Sequence, residues 1–452
     1  MTKENRASFG SRLGVVLASA GSAVGLGNVW RFPTEAHANG GAAFMVVYLA
    51  MVLLLAMPVM VAEFVIGRAS GASAVHSYQR LGAKGLWRKT GFLGVIGGFM
   101  VLSFYSVIAG WTLASVFSSM DVMKSTADYA TAFDSFTTNA WQPLIYLVLF
   151  MAMTHFVVSR GVQRGIERFS KLMMPLLFVI MLVLMGLSLT MPGAMDGVVF
   201  LFKPDLSKLT ADVVLSAMGQ AFFTLSVGIS CLATYASYFK PETPLVKSAL
   251  NVCCIDTLVA VMSGLIIFPA LCSVAGGAEA EGGPGLVFVT LPRVLDYAFA
   301  DAPIVNYIFT SLFYLLLLLA ALTSSISMHE INTAYISEAF HLSRKKTACI
   351  VTAVCTLFGV ACSLSFGPWQ DITLFGKGFF DLFDYTTAKY IMPLGGLFIT
   401  LFVGWRMETS LVMKELTNEG TLNLLAARAM LFLIRWVAPL GVMVVFVNEL
   451  LQ

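Results

Sequence analysis

The stretch LASAGSAVGLGNVWRFP, Leu17 to Pro33, lies in the first apolar run of the chain and interrupts it with Gly21, Gly25, Gly27 and Asn28. Glycine in a helix interior costs roughly 0.5–1 kcal/mol relative to alanine. An unpaired backbone group inside a bilayer costs more, several kcal/mol. The stretch therefore predicts a membrane-spanning helix that is broken near its middle, with the freed backbone groups facing a cavity or a ligand.

The composition is that of an integral membrane protein. Of 452 residues, 58% are hydrophobic and 12% are charged, with a mean hydropathy of +0.83. Soluble domains have about 25% charged residues. The expected surroundings are a lipid bilayer. The net charge of +3 is small, and we expect no nucleic-acid partner, no obligatory protein partner and no transition-metal site.

Eleven apolar segments are long enough to cross a bilayer as helices, so the fold class is all-α. They are residues 12–36, 42–68, 91–120, 141–158, 169–191, 211–238, 244–274, 304–338, 346–366, 379–405 and 427–449. Residues 284–300 are too polar to span and are predicted to form an ordered helical loop. We expect one transmembrane domain, residues 1–452.

The connections between these segments carry an uneven charge. Alternate connections, counted from the amino terminus, hold twenty Lys and Arg residues, whereas the other set holds six. Lys and Arg concentrate on the cytoplasmic side. The amino terminus is therefore predicted to be cytoplasmic and, with an odd number of spans, the carboxyl terminus extracellular, in a multi-pass protein of the plasma or inner cell membrane.

A second break occurs in the sixth apolar segment. Within GQAFFTLSVGISCLATYASY, Gly219 to Tyr238, the residues Thr224, Ser226 and Gly228 interrupt the run near its middle. Small residues also serve close helix packing. Corresponding breaks in the first and sixth spans instead favour two inverted five-helix repeats around a binding site. The repeats would cover about 12–191 and 211–405, with an additional helix at about 427–449.

Ionisable residues within the apolar segments are functional candidates because they are costly in a membrane. They are Glu63, Asp256, Glu330, Asp384 and Lys389. Asp256 has no basic residue near it in sequence, so it is expected to face a bound cation or to be protonated. Glu63 is expected either to bind a ligand or to tie together unwound backbone.

Four motifs resemble those of the neurotransmitter:sodium symporter family, in particular its bacterial amino-acid transporters with eleven helices. They are GSAVGLGNVWRFP, GQAFFTLSVG, LTSSIS and FFDLFDY. The resemblance covers nearly the whole chain. It implies a LeuT-type fold of 5+5 inverted repeats with broken helices 1 and 6, and sodium-coupled import by alternating access.

The resemblance also implies two Na⁺ sites. One would use Ala23, Asn28, Thr224 and Asp256, and the other Gly21, Val24, Ala320, Thr323 and Ser324. Many relatives have Asn at the position of Asp256, and those that depend on chloride take the missing negative charge from that anion. A built-in carboxylate implies transport without chloride. Adjacent hydroxyls such as those of Thr323 and Ser324 also bond to carbonyls of their own helix, which is the alternative reading of that pair.

For the substrate, the resemblance implies a pocket between the broken helices and the third and eighth spans. Its residues would be Ser22, Ala23, Gly25, Leu26, Gly27, Tyr105, Phe223, Thr224, Ser226, Ile229, Ser324 and Met328. Monoamine carriers have Asp where this chain has Ser22, which favours a zwitterionic amino acid. Ile229 and Met328 favour neutral, hydrophobic or aromatic L-amino acids.

Gates are implied on both sides of the pocket. Arg31 and Asp384 would form the outer gate, with Phe223 and Tyr105 as lids. Arg6 and Glu338, with Phe9 and Tyr238, would form the inner gate. Phe9 replaces the family's usual Trp, and Glu338 its usual Asp.

Two other classes of function stay open at this point. A transporter-like sensor or receptor would bind amino acids without net transport. An intramembrane enzyme would need a Ser–His or paired-Asp arrangement at helical spacing, and the sequence contains no convincing one. We therefore expect a transporter rather than an enzyme.

Overall fold

The computed structural model of the protein describes residues 7–118, 128–274 and 283–451. These residues form helices joined by short connections, and within them the only β-type pairing is one isolated bridge between Leu374 and Lys377. Arg6, predicted for the inner gate, lies outside the described residues. The all-α fold class is confirmed.

Nine helices of the described residues are long and apolar enough to cross a membrane. They are Ala42–Ser70, Gly85–Ser118, Gln142–Ser159, Val162–Ser188, Leu245–Cys272, Pro303–Phe340, Arg344–Leu364, Phe379–Arg406 and Leu424–Asn448. Each one matches a predicted span. Shorter helices are Ala74–Arg80, Tyr129–Thr137, Ala194–Phe202, Leu286–Thr290, Leu291–Ala298 and Thr409–Leu416.

The first and sixth predicted spans are each a pair of helices. Arg12–Ala23 and Gly27–Ala38 form a tenth candidate span that is bent by 54° at the break. Ala211–Thr224 and Cys231–Ala236 flank residues 225–230, which are not helical. The described residues thus contain up to ten candidate spans, and the two half-helices of the sixth segment are not among them. The count of eleven helices and the limits of the two inverted repeats stay predictions.

The break in the first span has two causes: one residue with an extended backbone, and close packing of the next residue against neighbouring helices. Val24 ends the first half-helix with φ −67° and ψ 112°. A Cβ atom on Gly25, the next residue, would lie 2.5 Å from Ser324 Oγ and 3.1 Å from the Tyr105 hydroxyl. Only glycine brings the backbone this close to the third and eighth spans.

The second break contains three residues with positive φ: Ser226 at 51°, Gly228 at 92° and Ser230 at 60°. An α-helix cannot continue through left-handed residues. The carboxylate of Glu63, which is fully buried, accepts hydrogen bonds from the backbone N–H of Gly228 at 2.8 Å and of Ala233 at 3.0 Å. Of the two interpretations of Glu63, the geometry supports the one in which it stabilises unwound backbone.

The eighth span, Pro303–Phe340, lies at the centre of the fold. It is 38 residues long and is buried along most of its length. Gly85–Ser118, the first half-helix Arg12–Ala23 and the half-helix Cys231–Ala236 pack against it, so both broken helices contact this span. The predicted helical loop is also present, because Leu286–Thr290 and Leu291–Ala298 form helices with buried side chains.

Candidate functional site

Five oxygen-bearing residues come together where the first break meets the eighth span. The Ser324 hydroxyl lies 2.9 Å from the carbonyl oxygen of Val24 and 3.5 Å from that of Gly21. The Thr323 hydroxyl lies 2.9 Å from the carbonyl oxygen of Ala320 and 3.5 Å from that of Val24. These are the five residues predicted for the second Na⁺ site. Uncharged hard oxygen donors suit a monovalent cation that is released in each cycle.

A carboxylate cluster lies on the other side of the first break. Asp256 is fully buried, and Asn28 Nδ2 donates to its Oδ1 at 2.8 Å. The hydroxyls of Thr224, at 3.1 Å, and Tyr48, at 3.3 Å, also donate to the carboxylate. Across the described ranges, no Lys, Arg or His nitrogen lies within 4.0 Å of this carboxylate. Its partners are therefore all uncharged.

Tyr48 was missed by the sequence analysis. It lies in the middle of an apolar helix, Ala42–Ser70, where a tyrosine resembles an ordinary core residue. Its full burial and its bond to Asp256 appear only once the second and seventh spans are packed together.

A small cavity lies between the two breaks and the third, eighth and tenth spans. Its lining is Ala23, Gly25, Leu26, Gly27, Val101, Phe104, Tyr105, Phe223, Thr224, Ser226, Ile229, Ser324, Met328, Thr387 and Met392. Eleven of the twelve predicted substrate residues are among them. Val101, Phe104, Thr387 and Met392 were not predicted, and the tenth span supplies two of these four.

Ser22 is the predicted substrate residue that does not line the cavity. Its hydroxyl donates to Ser327 Oγ at 2.8 Å, and its carbonyl oxygen accepts from the Ser226 hydroxyl at 3.1 Å. The side chain therefore points into the contact between the first and eighth spans. A sequence pattern does not fix the direction of a side chain at the end of a half-helix.

Backbone amides gather at one end of the cavity. Leu26 N–H points to the Tyr105 hydroxyl, 3.4 Å away, and Gly25 N–H donates to Asn28 Oδ1 at 3.0 Å. A Cβ on Gly27 would lie 3.1 Å from the Phe223 ring. Amides and a hydroxyl at the start of a half-helix suit an anionic group such as a carboxylate.

Phe223 and Met392 line both this cavity and a second one. The guanidinium of Arg31 lies 4.2 Å from the centre of the Phe223 ring and forms an ion pair with Glu35 at 3.8 Å. No ion pair within 4.0 Å joins Arg31 to Asp384 in this conformation of the described chain. The predicted outer pair therefore stays a prediction.

A second ion pair joins the eighth span to the start of Arg344–Leu364. Glu330, fully buried, accepts hydrogen bonds from Arg344 at 3.0 Å and from the Tyr238 hydroxyl at 2.7 Å. Arg344 also donates to the carbonyl oxygen of Val158 at 3.0 Å. Glu330 was a candidate from sequence, but its partner Arg344 was not.

The other predicted inner-gate residues have partners of their own. Glu338 accepts from the backbone N–H of Ser73 at 2.8 Å and from Arg80 at 3.1 Å. Phe9 is buried, donates its N–H to the Tyr238 carbonyl at 3.0 Å, and packs its ring edge-on against that tyrosine. The predicted latch between Glu338 and Arg6 falls partly outside the described residues and stays a prediction.

Comparison with known proteins agrees with this architecture. The sequence model of the sodium:neurotransmitter symporter family matches residues 6–135 and 124–452. The uncharacterized sodium-dependent transporter YhdH of Bacillus subtilis is 39% identical over 451 residues, which are 99% of this chain and 98% of YhdH. An uncharacterized sodium-dependent transporter of Haemophilus influenzae is 31% identical over the full length of both chains.

A solved structure is similar over nearly all of its length. The crystal structure of MhsT in complex with L-phenylalanine matches with a TM-score of 0.88 and 40% sequence identity, covering 98% of this chain and 100% of MhsT. The chain belongs to the sodium:neurotransmitter symporter family. It is a multi-pass membrane protein of a sodium-dependent transporter family, and the LeuT-type fold predicted from its motifs is confirmed.

Proposed function

We propose that this protein is a sodium-coupled symporter that imports neutral, hydrophobic or aromatic L-amino acids by alternating access. It would use two Na⁺ ions and no chloride. The observation that carries the proposal is the buried Asp256 carboxylate, which has only uncharged partners and adjoins a cavity lined with backbone amides. A negative charge in that setting is stabilised by a cation.

The first Na⁺ would lie against Ala23, Asn28, Thr224 and Asp256. Three of these residues already meet through hydrogen bonds, and Ala23 lines the adjoining cavity beside Thr224. Asp256 supplies the fixed negative charge that balances the ion. Because that charge belongs to the protein, no chloride ion is needed to balance it.

The second Na⁺ would be bound by Gly21, Val24, Ala320, Thr323 and Ser324. Their hydroxyl and carbonyl oxygens lie within hydrogen-bond distance of one another. The group joins the first half-helix to the eighth span. Binding of the ion would therefore stabilise one arrangement of these two elements, as coupling between ion and transport requires.

The amino acid would bind with its carboxylate at the amides of Gly25, Leu26 and Gly27 and the Tyr105 hydroxyl. Its ammonium group would meet carbonyl oxygens near Ser22, Ala23, Phe223 and Ser226. Its side chain would contact Val101, Ile229, Met328 and Met392, which are apolar lining residues. No charged side chain is among the lining residues that the structure describes, which favours a neutral substrate. The L-phenylalanine in the MhsT complex is such an amino acid.

The cavity would open alternately to the two sides of the cell membrane. With a cytoplasmic amino terminus and an extracellular carboxyl terminus, Phe223 and Arg31 would lie on the outer side, where Asp384 would pair with Arg31 on closure. Tyr238, Glu338 and Arg6 would close the inner side, together with the Glu330–Arg344 pair.

Equilibrium binding to the purified protein tests the proposal. Labelled L-phenylalanine is titrated in NaCl and in KCl of equal ionic strength, for the wild type and for Asp256→Ala. We expect saturable binding in Na⁺ only, displaced by neutral hydrophobic or aromatic amino acids and not by aspartate or lysine, and weakened by the substitution. Binding of equal strength in KCl would contradict sodium coupling.

A further inference from the structure

Thr387 belongs to the tenth span, Phe379–Arg406, and its side chain is 1% exposed. It lines the central cavity, although nothing in the sequence motifs singled it out. It is the hydroxyl-bearing residue that the tenth span contributes to this wall.

The hydroxyl proton of Thr387 is already committed within its own helix. Its Oγ1 lies 2.8 Å from the carbonyl oxygen of Phe383 and 3.0 Å from that of Asp384. A threonine hydroxyl has one proton and two lone pairs. Any further hydrogen bond of this hydroxyl must therefore be one that Thr387 accepts, and no group among the described residues is recorded as donating to it.

The position of Thr387 is at the side-chain end of the cavity. A wide, π-type turn runs from Thr387 to Ile391, so these two residues share a face of the helix. Ile391 and Ile229 both pack against Gly97 of the third span. A Cβ atom on Gly97 would lie 2.8 Å from Ile391 Cγ2 and 3.0 Å from Ile229 Cγ2. Thr387 lies one turn from this contact.

The wall around Thr387 is otherwise apolar. Val101, Phe104, Ile229 and Met392 line the cavity with it, whereas the amides and Tyr105 lie at the end proposed for the amino-acid carboxylate. A buried acceptor left without a donor loses its hydration and gains no bond in return. A substrate with a side-chain donor would restore that bond, and a hydrocarbon side chain would not.

We propose that Thr387 is a specificity-determining residue that accepts a hydrogen bond from the side chain of the bound amino acid. The inference rests on the proposed function and narrows its substrate class. Among aromatic amino acids, it favours those with an indole N–H or a phenol O–H, tryptophan and tyrosine, over phenylalanine.

The test combines a substrate pair with a variant pair. The substrates are L-tryptophan and L-3-benzothienylalanine, in which sulfur replaces the indole N–H with little change in shape. The variants are Thr387→Val, which keeps the shape of the side chain and removes the acceptor, and Thr387→Ser, which keeps the acceptor. Inhibition constants against labelled L-leucine binding are measured in Na⁺, with tyrosine and phenylalanine as a second pair.

We expect the ratio of affinities, tryptophan over benzothienylalanine, to fall by about 2- to 13-fold in Thr387→Val, which is the contribution of a neutral hydrogen bond. Thr387→Ser should keep the wild-type ratio, and in Thr387→Val any change in the affinity for leucine should be smaller than the change in the affinity for tryptophan. The tyrosine-to-phenylalanine ratio should fall in the same variant.

An unchanged ratio in Thr387→Val would overturn this inference and leave the proposed function standing. An equal loss of affinity for leucine and tryptophan would also overturn it, because it would indicate that Thr387 contacts the backbone atoms common to all amino acids. If Thr387→Val does not fold, Thr387→Ala is measured instead, and the wild-type protein must still bind tryptophan and tyrosine more tightly than their partners without the donor. Absence of Na⁺-dependent binding of every neutral amino acid to the wild type would overturn the proposed function itself.

Discussion

Asn28 binds both the side chain and the main chain of Asp256: its Nδ2 lies 2.8 Å from the carboxylate Oδ1 and 3.1 Å from the carbonyl oxygen. The same amide group accepts the N–H of Gly25 through its Oδ1. One side chain thus joins the break in the first span to the carboxylate of the seventh. The proposed Na⁺ site and the proposed amino-acid site are therefore linked through the side chain of Asn28.

The substitution Asp256→Asn should make transport dependent on chloride and weaken the dependence on Na⁺. The amide keeps the shape but removes the fixed negative charge, so an anion is needed to balance the ion. Uptake of labelled L-phenylalanine is measured with chloride replaced by gluconate. Asp196→Asn is the control, because Asp196 is exposed. An unchanged response to both ions in Asp256→Asn would refute the role of Asp256.

Thr323→Val should raise the Na⁺ concentration for half-maximal uptake by about tenfold. The substitution keeps the shape of the side chain and removes one oxygen near Val24. A contact between a polar oxygen and a charged group, taken to be as strong as a hydrogen bond to such a group, contributes about 1.5 kcal/mol or more. Ser325→Ala is the matched control. Its hydroxyl is buried in the same helix but contacts Thr154 and the Leu322 carbonyl. Equal Na⁺ dependence in the two variants would exclude the second site.

Gly25→Ala should abolish substrate binding at any accessible concentration. The added methyl group would overlap Ser324 Oγ, 2.5 Å away, and crowd the Tyr105 hydroxyl. Gly186→Ala is the control, because nothing lies within 4 Å of a Cβ there. Both are measured by binding of labelled L-phenylalanine in NaCl. Wild-type affinity in Gly25→Ala would mean that the pocket lies elsewhere.

The sequence predicts those parts of the site that depend on neighbouring residues in the chain. It does not predict contacts between residues that are brought together only by the packing of different helices. Gly21, Gly25 and Gly27 predict the first break because a local run of glycines acts through the backbone itself. The pairing of Glu330 with Arg344, 14 residues apart, depends on how the eighth and ninth spans pack. No periodicity in a uniformly apolar chain specifies that packing.

Two further residues illustrate the same limit. Thr387 lies in an ordinary apolar segment, and only the packing of the tenth span against the third brings this residue to the cavity. Ser22 was predicted to line the cavity from its position in a motif, yet its hydroxyl turns to Ser327. Motifs predict the backbone of the site well, and they predict side-chain directions less well.

Glu63→Gln should lower the thermal stability of the protein without changing the Na⁺ dependence of the fraction that folds. The carboxylate accepts N–H groups of Gly228, Leu232 and Ala233 in the unwound segment, and such charge-assisted bonds contribute about 1.5–3 kcal/mol. Unfolding is followed in detergent, with the exposed Glu408→Gln as control. A shifted Na⁺ dependence at unchanged stability would make Glu63 a ligand instead.

Arg344→Gln should destabilise the protein by about 3–5 kcal/mol, because it leaves the Glu330 carboxylate buried and without its cation. The double variant with Glu330→Gln should recover much of that loss. Thermal unfolding of the four proteins of this cycle measures the coupling. Additive effects of the two substitutions would show that the ion pair does not act as a unit.

The most direct test of sodium-coupled symport is flux into proteoliposomes that contain the purified protein. Labelled L-phenylalanine uptake is followed with an inward Na⁺ gradient, with equal Na⁺ on both sides, and with K⁺ in place of Na⁺. We predict accumulation above the external concentration only with the inward gradient, lost when an ionophore dissipates it. Uptake that is unaffected by the removal of Na⁺, or Na⁺-dependent binding without any flux as in a sensor, would contradict the account.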